Sequence, residues 1–532
     1  MSSDKKQAFM KGALILMIAN IIVKVIGAAF KIPLTYLLGE EGMALFSTSY
    51  TMYTWFFIIA TAGIPVAISR MISEARTKEN YKEVKRIFSV SSRLLICIGV
   101  VGTIVLYFGS SWLAKQLGNR DASLGIKAIS PALFFVALMS AYRGYFQGHQ
   151  DMLPTALSEV SEALGKLVIG FLAAYFLISK GVEYGAAGAV FGVAMGGCLG
   201  FVTLFSVYGI KKRKKTELPS LGISRSNGTI LKELIKIAIP ITLGASVFSL
   251  TSLIDTAMIM RNLQSGGFSY EKAKYFYGSY TGYAVPLFNL PPTLISSITI
   301  SIVPAIASAL ADGDMKLARQ TVGNSLAITI LFALPCAVGM AIFANPILDL
   351  VYNNTNATNT LGVLGYAIVF VSLVMVTNAI LQSAGKERIP VINMLIGGIV
   401  KIIINMVLVK NPDINIVGAP IGTLTCYAVI LFLNLICLAR VIKIELSPVQ
   451  YILKPIISVV LMAFCSMTVY KLLFFLGNKI SFIIAMVVAV AVYGLSILLL
   501  RILTEELLCS IPGMSRFAPL LKKLHLIKSE EK

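Results

Sequence analysis

Between Pro154 and Leu167 an apolar stretch carries Glu159, Glu162 and Lys166. The lysine stands four residues after one acid and seven after the other, so a helix brings all three to one face, with Ser158 beside them. Charges spaced in this way neutralise one another, hold an ion or bind a charged substrate. Other greasy runs are interrupted by Lys24, Asp255 and Lys401 and, nearer their ends, by Lys31, Arg143 and Arg261. An ionisable group facing lipid costs at least a few kcal/mol unless it meets water, a cavity or a partner, so each is a candidate for function. Lys401 stands eleven residues after Pro390 and Lys166 twelve after Pro154, which gives two helices a lysine at similar depth. Lys24, Lys166 and Lys401 together imply a central cavity of net positive character. Such a cavity suits an anion, phosphate above all.

Each residue also has a reading without function. Glu162 and Lys166 form a neutralised pair within one helix; Asp255 pairs with a neighbouring helix; Lys401, Lys31 and Arg261 extend their long side chains toward an interface, which the positions of Lys31 and Arg261 near span ends favour. His149, in the turn QGHQD at 147–151, reads as a solvated turn residue rather than a proton relay. Covalent chemistry has no visible apparatus. There is no phosphate-cradling glycine loop followed by Lys-Ser/Thr, no nucleophile elbow and no metal-ligand spacing. With only His149 and His525 available, acid–base enzymes fit poorly. A transporter needing no cofactor is expected, driven by membrane potential, an ion gradient or removal of product.

The elements that must position these residues are helices in a bilayer. Of 532 residues 57% are hydrophobic and 13% charged, against about 25% charged in soluble domains. Apolar runs of about 20 residues recur from end to end, each long enough to cross a hydrocarbon core. Proline, glycine and charge clusters divide the chain into fourteen expected spans: 8–30, 43–69, 87–108, 124–146, 154–179, 185–209, 230–260, 276–310, 321–343, 361–384, 390–409, 417–439, 451–476 and 480–501. The first runs past Lys24 to Phe30 without a signal-cleavage site and is read as a retained span. The eighth, with Pro286, Pro291, Pro292 and Pro304, is expected to kink or tilt. The seven cysteines read as packing residues, with neither disulfide nor metal spacing.

A formal charge of +21 does not indicate nucleic acid in such a chain, where the placement of the charges matters. With the N-terminus inside, 32 of the 46 Lys and Arg fall on the inner side, 11 outside and 3 within spans. This bias predicts both termini in the cytoplasm. The run KKRKK at 211–215 then reads as a topogenic loop near anionic headgroups, or as a regulatory lipid site. The loop VYNNTNATNT faces outside.

The sequence also repeats. PVAIS at 65–69 resembles PAIAS at 304–308, the turn FQGHQDMLP at 146–154 resembles LQSAGKERIP at 381–390, and GAVFG at 188–192 resembles GAPIG at 418–422. Three matches in order, at separations of 230 to 239 residues, imply six spans duplicated. The expected plan is all-α and polytopic: a six-helix lobe with its basic linker at 1–215, a pseudo-symmetric six-helix lobe at 216–445, and spans 13 and 14 with a tail at 446–532. Transporters of this kind bind between their repeats and rock alternately open.

AGIPVAISRMISEA at 62–75 and RGYFQGHQDMLPTALSEVSEALGKL at 143–167 resemble the polysaccharide-exporter branch of the multidrug/oligosaccharidyl-lipid/polysaccharide (MOP) superfamily. In particular they resemble the stage V sporulation protein B-like group, which includes MurJ-type lipid II flippases. The resemblance implies a V-shaped, two-lobed transporter in the bacterial cytoplasmic membrane, moving an undecaprenyl-pyrophosphate-linked saccharide from the inner to the outer leaflet. It implies a cationic cavity for the pyrophosphate, a groove for the lipid tail at spans 13 and 14, and cell-wall synthesis enzymes as partners. Lys24 matches a basic residue of the first helix. Paired arginines of the second helix have no counterpart, because WFFIIATAGIP stands there. A drug or cation antiporter remains the alternative, favoured by Glu159, Glu162 and Asp255, as does a non-transporting scaffold for wall synthesis.

Overall fold

The computed structural model describes residues 3–214, 225–442, 447–504 and 507. Lys215 of the basic run, Cys509, His525 and the C-terminal tail lie outside them. The described residues form helices and no β-strand, in two compact units, Met1–Gly282 and Tyr283–Lys532. Eleven helical stretches among them are long and apolar enough to cross a membrane. The chain is an all-α polytopic membrane protein.

The first unit holds α1 (Ser3–Thr61), α2 (Ile64–Thr77), α3 (Tyr81–Gln116), α4 (Ser123–Ile129), α5 (Pro131–Gly148), α6 (Leu153–Leu177), α7 (Val182–Lys214), α8 (Asn227–Ser265) and α9 (Tyr270–Ser279). α1 is two limbs rather than one rod. Gly39 has φ 61° and ψ −169°, a conformation that glycine reaches without steric cost. A straight helix would separate Phe30 from Phe46 by about 24 Å, yet their ring centroids are 6.1 Å apart. The chain therefore folds back at Gly39.

Three expected spans are divided by their prolines. The stretch 43–69 breaks at Ala62 and Gly63, where Pro65 enters the first turn of α2. A Cβ on Gly63 would lie 2.1 Å from the Ala238 carbonyl oxygen of α8, so only glycine admits that crossing. Pro131 separates α4 from α5 within 124–146. The expected eighth span becomes α9, a π-turn at Tyr280–Ala284, α10 (Val285–Phe288) and α11 (Leu290–Ala311), with Pro286 and Pro291 in the opening turns of the last two.

Close packing in the first unit is written in glycine. On α5, Gly144 and Gly148 sit against α2: a Cβ on either would lie 2.9 Å from the carbonyl oxygen of Pro65 or Ser69, respectively. On α7, Gly188, Gly192, Gly196 and Gly200, each four residues from the next, lie against the backbone of α6. A Cβ on Gly192 would come 2.2 Å from the Cα of Gly170, and one on Gly196 would come 2.5 Å from the Glu162 carbonyl oxygen. Small residues at this spacing let two helices touch backbone to backbone. With one side of α6 filled by α7, its charged side chains turn toward α1 and α5.

The second unit continues through α12 (Met315–Ile342), α13 (Ala344–Tyr352), α14 (Thr358–Ser383), α15 (Arg388–Ile404), α16 (Gly418–Val441), α17 (Lys454–Leu472) and α18 (Asn478–Leu499). α14 is its central helix, flanked by α11, α12 and α16. Gly418 and Gly422 open α16 against Leu408 and Asn405. They match Gly188 and Gly192 of α7 in position within the repeated motif.

Candidate functional site

Arg143 holds the centre of a polar cluster in the first unit. α5 places it one turn before the corner at Gly148, whose carbonyl oxygen accepts from Arg76 of α2 (3.3 Å). Its guanidinium donates to Glu162 Oε2 (2.9 Å) and to Ser158 Oγ (3.1 Å). Ser158 donates in turn to the Thr155 carbonyl oxygen. The pair is largely enclosed, with Arg143 14% and Glu162 23% exposed. Tyr53 of α1 lies within electrostatic range of both. The reading of Glu162 with Lys166 as an ion pair within one helix is therefore corrected: the partner of Glu162 comes from α5, because α5 carries a planar donor directly across from it.

Lys166 turns instead to α1. Its ammonium lies 4.5 Å from the Tyr50 ring centroid and 5.3 Å from that of Phe30, close enough for both ring faces to attract it. Tyr50 stacks on Phe46, with centroids 5.7 Å apart and planes 8° apart. Lys31 lies near enough for its charge to oppose that of Lys166; its Nζ is 3.5 Å from the Thr281 carbonyl oxygen. The fold-back at Gly39 thus corrects the reading of Lys31 as a side chain reaching for an interface. The two ammoniums lie within electrostatic range of each other, Lys166 over the aromatic rings and Lys31 beside the Thr281 carbonyl, and among the described residues no ion pair neutralises either.

Glu159 completes the cluster. It lies in the field of Arg143 and Glu162, and its Oε2 is buried without a hydrogen-bond donor, as is the Thr155 Oγ1 one turn earlier.

The remaining candidates lie elsewhere. Lys24 is exposed on α1, two turns before Lys31. Asp255, buried on α8, accepts from the Tyr280 hydroxyl at 3.3 Å. Arg261 is exposed and donates to Gln116 at the end of α3 (2.7 Å). Lys401 belongs to the second unit, where it is 1% exposed, so it does not extend to an interface. His149 packs on Tyr145, with ring centroids 4.3 Å apart and planes tilted by 38°, and its Nδ1 lies 2.9 Å from the Tyr145 carbonyl oxygen. Among the described residues no group of three His, Cys, Asp or Glu side chains is placed to hold a metal.

A clasp near the α1 fold-back has no signature in the spacing of its residues. Lys274 of α9 meets Glu271 (2.9 Å), Glu41 (3.3 Å) and Asp121 (3.4 Å). Burial alone would lower the Lys274 pKa; the Glu271 hydrogen bond and the charges of Glu41 and Glu271 outweigh it and hold the ammonium well above the usual lysine range. Burial also pushes the neighbouring Tyr270 phenol up to about 12. A second network, in the second unit, is built of neutral groups. Asn434 of α16 donates to Asn378 (2.7 Å) and Thr377 (2.9 Å) of α14, and accepts from Asn393 of α15 (2.8 Å).

Residues 9–310, more than half of the chain, match the family model described as polysaccharide biosynthesis protein. The chain belongs to that family. A second family model, MatE, matches residues 280–407 of this polysaccharide biosynthesis family member. Stage V sporulation protein B of Bacillus subtilis (strain 168) is 25% identical over 96% of this chain and 99% of its own length. Lipid II flippase MurJ of the same organism is 28% identical over 81% of this chain and 82% of its own. Among solved structures, lipid II flippase MurJ in an inward closed conformation covers 92% of this chain at 15% identity, with a TM-score of 0.68 and 99% of that structure matched. An inward-facing multidrug resistance MATE transporter covers 79%, at 16% identity and a TM-score of 0.64, with 95% of that structure matched. These likenesses establish the fold of MOP superfamily transporters. The family member is thus a multi-pass membrane transporter of the stage V sporulation protein B-like, MurJ-related group rather than an enzyme.

Proposed function

We propose that this protein moves a polyprenyl-pyrophosphate-linked saccharide, lipid II or a related wall or polysaccharide precursor, from the inner to the outer leaflet of the bacterial cytoplasmic membrane by alternating access. The observation that carries this reading is the pair of ammoniums, Lys166 over the rings of Phe30 and Tyr50 and Lys31 within range of its charge, with no carboxylate among the described residues in an ion pair with either. Two like charges held together in apolar surroundings repel unless an anion joins them, and a diphosphate offers the matching charge. The rings add faces against which a sugar or the lysine stems pack. The cationic site proposed from sequence, Lys24, Lys166 and Lys401, is accordingly centred on Lys31 and Lys166. Relatives named for lipid II flipping and sporulation support the cargo class. The distribution of Lys and Arg supports a reading with both termini in the cytoplasm.

The antiporter reading has less to draw on, since Asp255 is engaged by Tyr280 and Glu162 by Arg143. The test is complementation. A bacterium is depleted of its own lipid II flippase and given this chain or the Lys31→Ala/Lys166→Ala variant, and lipid II exposure on the outer leaflet is assayed. Restoration by the wild-type chain and not by the equally expressed variant is expected. Restoration by both removes the lysine pair from the mechanism, and restoration by neither removes lipid II as the cargo.

A further inference from the structure

The cluster on α6 holds two carboxylates and one guanidinium. Arg143 gives its bonds to Glu162 and Ser158. Glu159, three residues before Glu162, keeps one oxygen buried and without a donor. An ionised carboxylate held in this way forfeits its hydration and receives no hydrogen bond in return. A neutral one carries its own donor, and Thr155 Oγ1, also buried and without a partner, lies one helical turn away on the same face.

Among the described residues of the elements packed against α6, Arg143 is the cation whose charge reaches Glu159, and Lys24 of α1 is exposed. α1 contributes Tyr50 and Tyr53 together with Lys31 further along, and the Lys166 ammonium is drawn to the rings of α1. α5 contributes Arg143, already engaged. α7 has no charged residue between Glu183 and Lys211, only Tyr184, Cys198 and Tyr208 among titratable groups, and it meets α6 through glycines. The short turn Ile178–Lys180 brings its lysine only at the opposite end of α6.

We propose that Glu159 is a proton-binding site of this transporter, taking a proton from water onto its carboxylate and returning it there, while Arg143 is the donor for which Glu159 and Glu162 compete. Protonation raises the net charge of the cluster by one. On the reading above, in which Lys31 and Lys166 bind an anion, the proton and the anion strengthen each other's binding by reciprocal linkage. Loss of the proton weakens the hold on the headgroup, a route by which a proton gradient drives release.

The experiment is infrared difference spectroscopy of the full-length protein in lipid nanodiscs, titrated with pH. A protonated-carboxyl band is expected at neutral pH in the wild type. It is expected to be absent in Glu159→Gln, and to appear only at more acidic pH in Glu162→Gln, where Arg143 is released to Glu159. Glu159→Asp, which keeps a carboxyl, controls for folding and is expected to retain a displaced band. A wild type without the band at neutral pH, or a band that survives in Glu159→Gln, overturns the proposal. Adding inorganic pyrophosphate is expected to move the wild-type titration to higher pH. A band that depends on Glu159 but ignores pyrophosphate upholds the proton site and overturns the anion reading instead.

Discussion

Two corners of this molecule share a plan and differ in their contents. In the first unit α5 ends in a polar turn that Pro154 closes into α6; in the second α14 ends in a turn that Pro390 closes into α15. Arg143 lies eleven residues before the first proline and Asn378 twelve before the second. The hydrogen-bond network behind the second corner is neutral and closed: Asn434, Asn393, Asn378 and Thr377 bond to one another at 2.7 to 2.9 Å. The first corner is charged: among the described residues no ion pair neutralises Lys31 or Lys166, and one oxygen of Glu159 is buried without a donor. A buried polar group is therefore not in itself a sign of function. What distinguishes the first corner is bonding capacity that its own neighbours do not use.

The largest effect expected on this comparison comes from the scaffold. Gly192→Ala places a methyl against the Gly170 backbone, which has no flexible end to give way, so a loss of about 3 kcal/mol or more is expected. Gly397→Ala in α15 first meets the movable Ile430 side chain and is expected to cost less. Melting temperatures in detergent check both, and equal losses would show that the two helix pairs do not differ in closeness.

Next, Arg143→Met strands Glu162, at a cost of about 3–5 kcal/mol. Arg143→Met/Glu162→Leu is expected to recover most of the stability without recovering lipid II exposure. Asn434→Leu leaves its partners unsatisfied at a cost of about 1–3 kcal/mol, with exposure per folded molecule unchanged. A transport defect in Asn434→Leu that exceeds its loss of folded protein would give the neutral corner a role beyond packing.

Lys166→Met removes cation–π attraction and like-charge repulsion together, so a stability change within about 1 kcal/mol is expected, with lipid II exposure reduced roughly tenfold. A large drop in melting temperature would place Lys166 with the structural residues instead.

The smallest effect is at the Lys274 clasp, whose carboxylate partners are partly exposed. Lys274→Gln is expected to cost about 1 kcal/mol after screening. Because the folded pKa is raised, the stabilisation is complete below the usual lysine value of about 10.4 and is lost only as pH rises through the higher folded value. Melting curves of wild type and variant should stay apart at neutral pH and converge only in strong alkali.

Much of this was legible before any coordinates. Hydropathy and prolines locate the helices, and the spacing of Glu159, Glu162 and Lys166 marks α6 as the charged helix. Partner choice was not legible, because it depends on which helix face α5 and α1 present. Arg143 reads only as one of several candidates near span ends, and Lys31 as an interface residue until the chain folds back at Gly39. One signal was present and unused: the glycines at 188, 192, 196 and 200 fix which side of α6 is blocked.

That ladder has a mechanical consequence. Helices whose backbones touch have little freedom to slide or roll against each other, so α6 and α7 behave as one stiff strut and carry their charges along unchanged. Rearrangement within the first unit then falls to α1, through Gly39, where a Cβ would meet nothing within 4 Å. Spin labels across α6 and α7 would serve as a fixed ruler. A second pair across α1 and α6 would read the stroke.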